Sequence, residues 1–356
     1  MTPLNPAQNP LPLTGLKIVE LHAIGPVPFA GQVLHSLGAD IVRVSPPVDP
    51  GLGTPAKAEF DLLNAGKRRL FVDLKTPAGM TELVKELATA DVLMEGFRPG
   101  VLERLQLDPA SLLERFPRLV IGRLSGWGTH GELTERAGHD INYLALCGIL
   151  NAIGTQASPV PPLNVVGDFG GGAMHLLVGM LAKLVQRGIT GKGGAVESSI
   201  LAGSVGLTPM FFGMVASGAW KLGREANMLD GAAPFYRVYA TQDKRHVAVG
   251  AIEAKFYREL LEVMELTQQV DASKQMSRDS WSATIAQFAK RFAELPRDEW
   301  ARRAASRDCC LSPVLDFSEA AANSHNQANR LYRNTPFAQT DTTIWFDRAL
   351  KSQNTV

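Results

Sequence analysis

The chain of 356 residues carries 36 Lys+Arg against 35 Asp+Glu, a formal net charge of +1, and is 45% hydrophobic and 20% charged. That balance gives no electrostatic case for nucleic acid or an anionic membrane as a partner, and the apolar content supports a large core, which excludes global disorder. At roughly one domain per 150 residues, the length predicts two domains.

Cys147, Cys309 and Cys310 form an odd set with two adjacent members, which argues against a disulfide framework. No C-x-x-C or H-E-x-x-H spacing occurs, so no metal is expected. Met1 to Leu13 lacks the basic and apolar regions of a secretory signal. No apolar run reaches the roughly 18 residues of a membrane span, and Asn354-Thr355-Val356 is not a peroxisomal address. The expected compartment is the cytoplasm.

In chain order, Lys17-Ile18-Val19-Glu20-Leu21 reads as a buried strand, and Phe29 to Leu37 as a helix that Gly38 ends. Ile41 to Val44 is the next strand, and strand, helix, strand over about thirty residues is a parallel βαβ unit. The pattern recurs with a strand from Arg69 to Leu74, a helix from Pro77 to Thr89 and a strand from Asp91 to Glu95. Helices from Val101 and from Pro109 to Phe116 follow, then a strand from Leu119 to Leu124. The prediction is a large open α/β domain, Rossmann-like, a class that binds ligands beyond the carboxyl ends of its strands. No G-x-G-x-x-G follows the first strand, so no nicotinamide or flavin dinucleotide is expected. Arg43, Lys67-Arg68-Arg69 and Arg98 collect near strand ends instead. They read either as solvated surface charges or as an anion site, because a guanidinium fork can bind two phosphate oxygens. Arg98 is the best candidate, since Gly96, Pro99 and Gly100 fix a tight turn directly after a strand.

Further on, Met174 to Arg187 and Ser198 to Gly218 read as two long apolar helices around the turn Gly191-Lys192-Gly193-Gly194. Met174, Met180, Met210, Met214 and Met228 lie in or near them. Core packing is the simpler reading of these methionines, and a yielding wall for acyl chains is the functional one. From Asn227 the texture changes to a hairpin, Phe235 to Ala240 with His246 to Val249. Helices at Ala254 to Met264, Trp281 to Phe292 and Arg297 to Ala305, then an extended Cys310 to Leu315, complete a smaller α+β domain. The boundaries that follow are 13–200 for the large domain, 201–226 for a helical linker, 227–325 for the small domain, and 326–356 for a segment returning to the large one.

Two glycine-flanked motifs carry the chemistry. Gly138-His139-Asp140-Ile141-Asn142-Tyr143 and Gly167-Asp168-Phe169-Gly170-Gly171-Gly172 each place one proton-handling side chain at the start of a helix. His139 and Asp168 are too far apart in sequence to be a local pair, so only the fold can make them a two-base arrangement. Unpaired N–H groups at a helix start can hold a developing oxyanion. On local grounds Asp168 reads first as a helix cap, a place Asp favours, although the triple glycine lets a ligand approach the backbone.

The order and length of several motifs make the sequence resemble the α-methylacyl-CoA racemases, a branch of the family III CoA-transferase superfamily. They include Gly15-Leu16-Lys17-Ile18-Val19-Glu20-Leu21, Leu37-Gly38-Ala39-Asp40, Glu95-Gly96-Phe97-Arg98-Pro99-Gly100 and Ser125-Gly126-Trp127-Gly128. The two glycine-flanked motifs, Pro162-Leu163-Asn164, Asn227-Met228-Leu229-Asp230-Gly231 and Gly250-Ala251-Ile252-Glu253 continue the match. The resemblance implies that His139 and Asp168 exchange the α-proton of a 2-methylacyl-CoA. It also implies that Glu253 hydrogen-bonds the histidine and that the backbone near Asp140 binds the thioester oxygen. CoA, part of the substrate and the only cofactor-like group, is implied to touch Val72, Asp73, Leu74, Lys75, Ala90, Asp91, Val92, Arg98, Gly138, Ile141, Asn142 and Tyr143. An interlocked homodimer is implied too, with Glu253 supplied by the other subunit.

The sequence departs from the family at Arg43-Val44-Ser45-Pro46-Pro47, where close relatives carry a second basic residue. Lys67 and Arg68 are the candidates to replace its phosphate contact. Glu197-Ser198 and the ending Thr342 to Val356 also depart. Two other functions stay open at this stage. One is a CoA-transferase with Asp168 as the nucleophile of an acyl anhydride, the other a non-catalytic acyl-CoA binding protein.

Overall fold

The computed structural model describes residues 11–48, 50–53 and 57–332. They form two compact units, one of the residues up to Ile149 with Pro162–Pro209, the other of Leu150–Pro161 with the residues from Met210 on. Leu150–Pro161 thus group with the second unit although they fall within 13–200, and the expected linker 201–226 divides after Pro209. Most of the expected return segment 326–356, including Thr342 to Val356, lies outside the described residues.

The first unit is built on six strands: β1 (Lys17–Leu21), β2 (Asp40–Ser45), β3 (Arg68–Phe71), β4 (Val92–Glu95), β5 (Val120–Ser125) and β6 (Gly194–Ser199). All neighbours are parallel, in the spatial order β3-β2-β1-β4-β5-β6. This is a doubly wound sheet, and its order reverses between β1 and β4, where such sheets open a crevice beyond their carboxyl ends. Alternation along β1 explains why both sheet faces are filled. Ile18 joins Val27, Ala30, Leu34, Leu176 and Met180 from the helices Pro26–Ser36 and Met174–Thr190. Val19 and Leu21 join Leu83 and Leu87 of the helix Pro77–Leu87 on the other face. A strand covered on both faces needs an apolar residue at nearly every position, which is the run seen in the sequence.

The structure corrects several expected elements. The first helix begins at Pro26 rather than Phe29, because proline presets the helical φ at a position whose N–H is unused. Strand β3 stops at Phe71, and Val72 to Lys75 turn instead, with Asp73 Oδ1 accepting the Lys75 N–H at 2.9 Å and the Asp73 carbonyl accepting the Thr76 N–H at 3.0 Å. The edge strand β6 bridges the end of the expected turn, at Gly194, and the start of the expected helix, at Ser198. Its polar, half-exposed residues offer no apolar run, and Glu197 faces Arg123 across the β5–β6 pair at 3.1 Å. The expected helix Ser198 to Gly218 is two helices, Ile200–Gly206 and Pro209–Ala216, since Pro209 has no N–H with which to continue the first.

Asp168 sits in a π-helical stretch, Val165–Ala173, that runs into the helix Met174–Thr190. Together they make a helical stretch, Val165–Thr190, long and apolar enough by length and composition to cross a membrane. One face of it packs on the sheet, with Met180 against Gly122 of β5 and Gly179 against Val196 of β6, while Val178, Val185 and Ile189 are exposed. The helix Ile200–Gly206 presses on the π-helical stretch so closely that a Cβ on Gly203 would overlap the Gly171 carbonyl, and one on Gly171 would stand 2.7 Å from the Ser204 nitrogen. Gly203→Ala is therefore expected to destabilise the protein by about 1–3 kcal/mol, as overpacking does. The measurement is the urea midpoint at constant slope; an unchanged midpoint would mean that these backbones separate freely.

The second unit carries an antiparallel sheet of β7 (Tyr236–Ala240), β8 (His246–Gly250) and β9 (Leu311–Pro313). Its core gathers Phe235, Tyr257, Phe288, Phe292 and Trp300, the last four from the helices Ala254–Val263, Arg278–Phe292 and Arg297–Ala304. The whole is mixed α/β: a large parallel-sheet unit and a smaller α+β unit.

Candidate active site

His139 is the N-cap of the helix Asp140–Leu146, in extended backbone, and its side chain is exposed. Asn142 fixes that start by accepting the His139 N–H on its Oδ1 at 3.0 Å. Tyr143 anchors the turn from behind. Its hydroxyl donates to the Gly138 carbonyl at 2.6 Å, and its ring meets Trp127 edge-on at 4.6 Å. Gly138 has no room for a side chain, since a Cβ there would stand 2.7 Å from the Trp127 ring. Burial pushes the Tyr143 phenol up to about 12, helped by the carboxylates of Asp168 and Asp140 and opposed by Arg98.

Asp168 is half-buried and is not the N-cap expected on local grounds; Asn164 takes that place, and Asp168 lies in the first turn. Four contacts hold it. The Asp168 N–H donates to Asp140 Oδ1 at 2.7 Å, and the Gly167 N–H also bonds that carboxylate. The Asn164 amide donates to Asp168 Oδ2 at 3.4 Å. Phe169 stacks on Phe29, with ring centroids 4.4 Å apart, which ties the motif to the helix Pro26–Ser36. Gly25, with φ 66°, begins that helix, and a Cβ there would crowd Asp168 Oδ2 at 3.2 Å. Glycine suits both the left-handed backbone and the close approach of the carboxyl.

The fold therefore brings the two motifs together beside the loop that follows β1. Burial first, then the neighbouring Asp140 charge, pushes the Asp168 carboxyl up to about 6, while the Asn164 hydrogen bond and the charge of His139 pull the other way. The Asp140 carboxyl is itself raised by burial, against the two backbone N–H groups that favour its ionised form. A carboxyl so placed can hold or release a proton near neutral pH.

Arg98 follows β4, on the other side of the switch point, and is exposed. Its turn is set by Glu95, buried to 2% exposure, which accepts the Phe97 N–H at 2.7 Å and Arg123 Nε at 2.9 Å. The sequence reading missed Glu95, Gly25, Asn164 and the Phe29–Phe169 pair. Gly25-Pro26 directly after the first strand was the available signal for Gly25; Asn164 is local to Asp168, four residues away, while the Phe29–Phe169 stack and the Glu95–Arg123 pair join distant segments.

Val72, Asp73, Leu74 and Lys75 lie past the carboxyl end of β3, beside an open depression of about 460 Å³ lined by Pro47, Phe71, Val72, Asp73, Thr76 and Glu82 among others. That edge is three strand spacings from β4, about 14 Å at roughly 4.8 Å per step. Ile141, Asn142, Tyr143 and Gly138 stand with His139 at the helix start. Ala90, Asp91 and Val92 are not brought to the site. They lie at the amino end of β4, where Asp91 accepts the Lys17 N–H at 2.9 Å and pairs with Arg187 at 3.0 Å. Crevice ligands gather at the opposite edge.

The other basic side chains are committed within the protein. Lys67 is buried against Glu20 at 2.7 Å and also bonds the Pro28 carbonyl at 2.9 Å. Arg43 faces Glu20 at 3.9 Å, Asp61 at 3.7 Å and the Ala23 carbonyl at 3.2 Å. Arg68 pairs with Glu86 at 2.6 Å and Arg69 with Asp61 at 3.7 Å. Lys67, fully buried, is thus not placed to replace a lost phosphate contact, whereas Arg68 keeps its side chain half exposed at the amino end of β3. Among the described residues, no group of three His, Cys, Asp or Glu is placed to hold a metal ion.

Glu253, in the second unit, is the exposed N-cap of the helix Ala254–Val263. The buried Gln275 amide steadies the approach to it, donating to the Ala251 and Ile252 carbonyls at 3.0 and 2.8 Å.

Comparison with known proteins follows the same lines. The family model described as CoA-transferase family III matches residues 13–352. The α-methylacyl-CoA racemase of Mus musculus is 42% identical over 88% of this chain and 81% of its own, and that of Homo sapiens 40% identical over the same shares. A CAIB/BAIF family protein from Brucella suis, known as a crystal structure, has the same fold, with a TM-score of 0.79, 24% identity, and coverage of 95% of this chain and 93% of its own.

Proposed function

The chain belongs to CoA-transferase family III, on the branch of the α-methylacyl-CoA racemases, and on that premise we propose that it is an isomerase exchanging the α-proton of a 2-methyl-branched acyl-CoA thioester. His139 and Asp168 are the two bases. One removes the α-proton from its face of the substrate, leaving a planar enolate, and the other returns a proton to the opposite face. The observation that carries this reading is that the fold joins the two motifs: the Asp168 N–H bonds the carboxylate of Asp140, the residue next to His139, at 2.7 Å, with the Asp168 carboxyl half-buried in the same turn. Because a thioester α-proton is weakly acidic, backbone N–H groups at the start of the helix Asp140–Leu146 are assigned to the enolate oxygen. Arg98 is assigned to phosphate, and the edge at Val72 to Lys75 to the far end of CoA, with no further cofactor. Glu253 is assigned to orient His139 from the partner chain of a homodimer.

The test is one incubation of a single epimer of a 2-methylacyl-CoA in deuterated water. Deuterium at the α-carbon with loss of configuration is the expected result. Acyl transfer to an added carboxylate without α-exchange identifies a transferase with Asp168 as nucleophile, and neither outcome identifies a binding protein.

The shared proton also fixes the pH dependence. Imidazole with carboxylic acid serves one direction, imidazolium with carboxylate the other, and both states hold one proton. Below about 6 Asp168 keeps its proton, and once the pair holds a second proton no acceptor remains. Exchange is expected to fall about tenfold per pH unit on this acid limb, with the same limb for both epimers. A rate that stays flat from neutral pH to well below the limb contradicts the pair.

A further inference from the structure

Asp140 stands between the two bases and touches both motifs. Its backbone continues from His139, while its carboxylate accepts the N–H groups of Asp168, at 2.7 Å, and Gly167. The fit is tight, because a Cβ on Gly167 would overlap Asp140 Oδ1. We propose that the Asp140 side chain is a positioning residue for proton exchange: it bolts the turn carrying Asp168 to the His139 helix and sets a second carboxylate against the Asp168 carboxyl. The inference rests on the two-base reading and goes beyond it, since that reading gives this residue only its backbone.

The surroundings leave few other groups to do this. The π-helical stretch packs against four helices. Ile200–Gly206 has no ionisable side chain, and Pro26–Ser36 has only His35, which bonds the Ala39 carbonyl at 3.1 Å at its far end. On Met174–Thr190 the nearest is His175, engaged with Ser198 at 2.8 Å. The fourth helix brings Asp140 and Tyr143, with His139 as its cap, and the Arg98 charge acts on Tyr143. Of the groups acting on Asp168, His139 favours the carboxylate, as does the neutral Asn164 amide. Asp140 is the like charge, held at hydrogen-bond distance by the backbone of Asp168 itself. Burial adds to it.

Two substitutions separate the two roles. Asp140→Asn keeps an acceptor oxygen for the turn but removes the charge; Asp140→Ala removes both. Titration of the Asp168 carboxyl carbon by NMR, assigned with Asp168→Asn, needs no substrate. In Asp140→Asn its midpoint is expected to fall from about 6 by on the order of one pH unit, and the acid limb of α-exchange should move down with it. At the plateau Asp140→Ala should be at least about tenfold slower than Asp140→Asn, because a displaced base costs rate without changing its chemistry. An Asp168 midpoint equal to the wild type in both variants overturns the electrostatic role, and equal plateau rates in both overturn the bolt. If the wild type exchanges no α-proton, the two-base reading fails, while the NMR titration still decides whether Asp140 acts on Asp168.

Discussion

Asp168→Asn and His139→Ala should each lower α-proton exchange by about 10³-fold with little change in fold, the loss expected when a positioned base is removed. The local structure supports both choices. Asparagine keeps the volume of Asp168, the stack of Phe169 on Phe29 and the bond from its N–H to Asp140. The His139 side chain is exposed, and its backbone N–H remains bonded to Asn142 after truncation. The two variants should fail differently. In deuterated water, each should still wash out the proton on the face served by its remaining base, more slowly, while losing the inversion that needs both. Following label and configuration separately checks this. Near-wild-type racemisation in both variants would move the chemistry elsewhere in the molecule.

Gly167→Ala should have the next largest effect, though it adds only one methyl group and touches no base. The new Cβ would overlap Asp140 Oδ1, stand 3.0 Å from its Cγ and meet Leu144 Cγ at 3.3 Å. Leu144 is fully buried, so that side cannot yield, and the Asp140 carboxylate must leave. The Asp168 N–H then loses its 2.7 Å partner, and the carboxyl drifts from its place beside His139. A displacement of about 1 Å in a catalytic group costs on the order of 10²-fold in rate. Gly188→Ala is the control: it lies in the helix Met174–Thr190 with nothing within 4 Å of its Cβ position, and alanine should there stabilise the helix. Comparable losses in both variants would show a general sensitivity of these helices to substitution, not loss of the bolt.

Much of this molecule was legible without coordinates. Strands buried on both faces need unbroken apolar runs, so β1, β2, β4 and β5 could be read directly from composition along the chain. The proton-handling motifs were legible for another reason: His139 and Asp168 each stand beside glycines, where backbone approach is unhindered. Strand β6 was not legible, because a half-exposed edge strand beginning with glycine shares its pattern with a turn. Nor was the fate of the basic residues. Arg43 and Lys67 look alike in sequence to Arg98, yet two are folded against Glu20 and one is left exposed. Charge pairing across a sheet depends on register, which no local pattern records.

The sequence by itself determined the alternating α/β order and the family, and through that resemblance it named His139 and Asp168 as candidate bases, because long motifs in a fixed order are specific. Only the tertiary structure decided that Asp168 is not a helix cap, that the Asp140 carboxylate bonds its turn to the His139 helix, and that Ala90 to Val92 lie at the amino end of β4. Those are distances between segments far apart along the chain, and the packing of glycines, rings and buried carboxylates sets them.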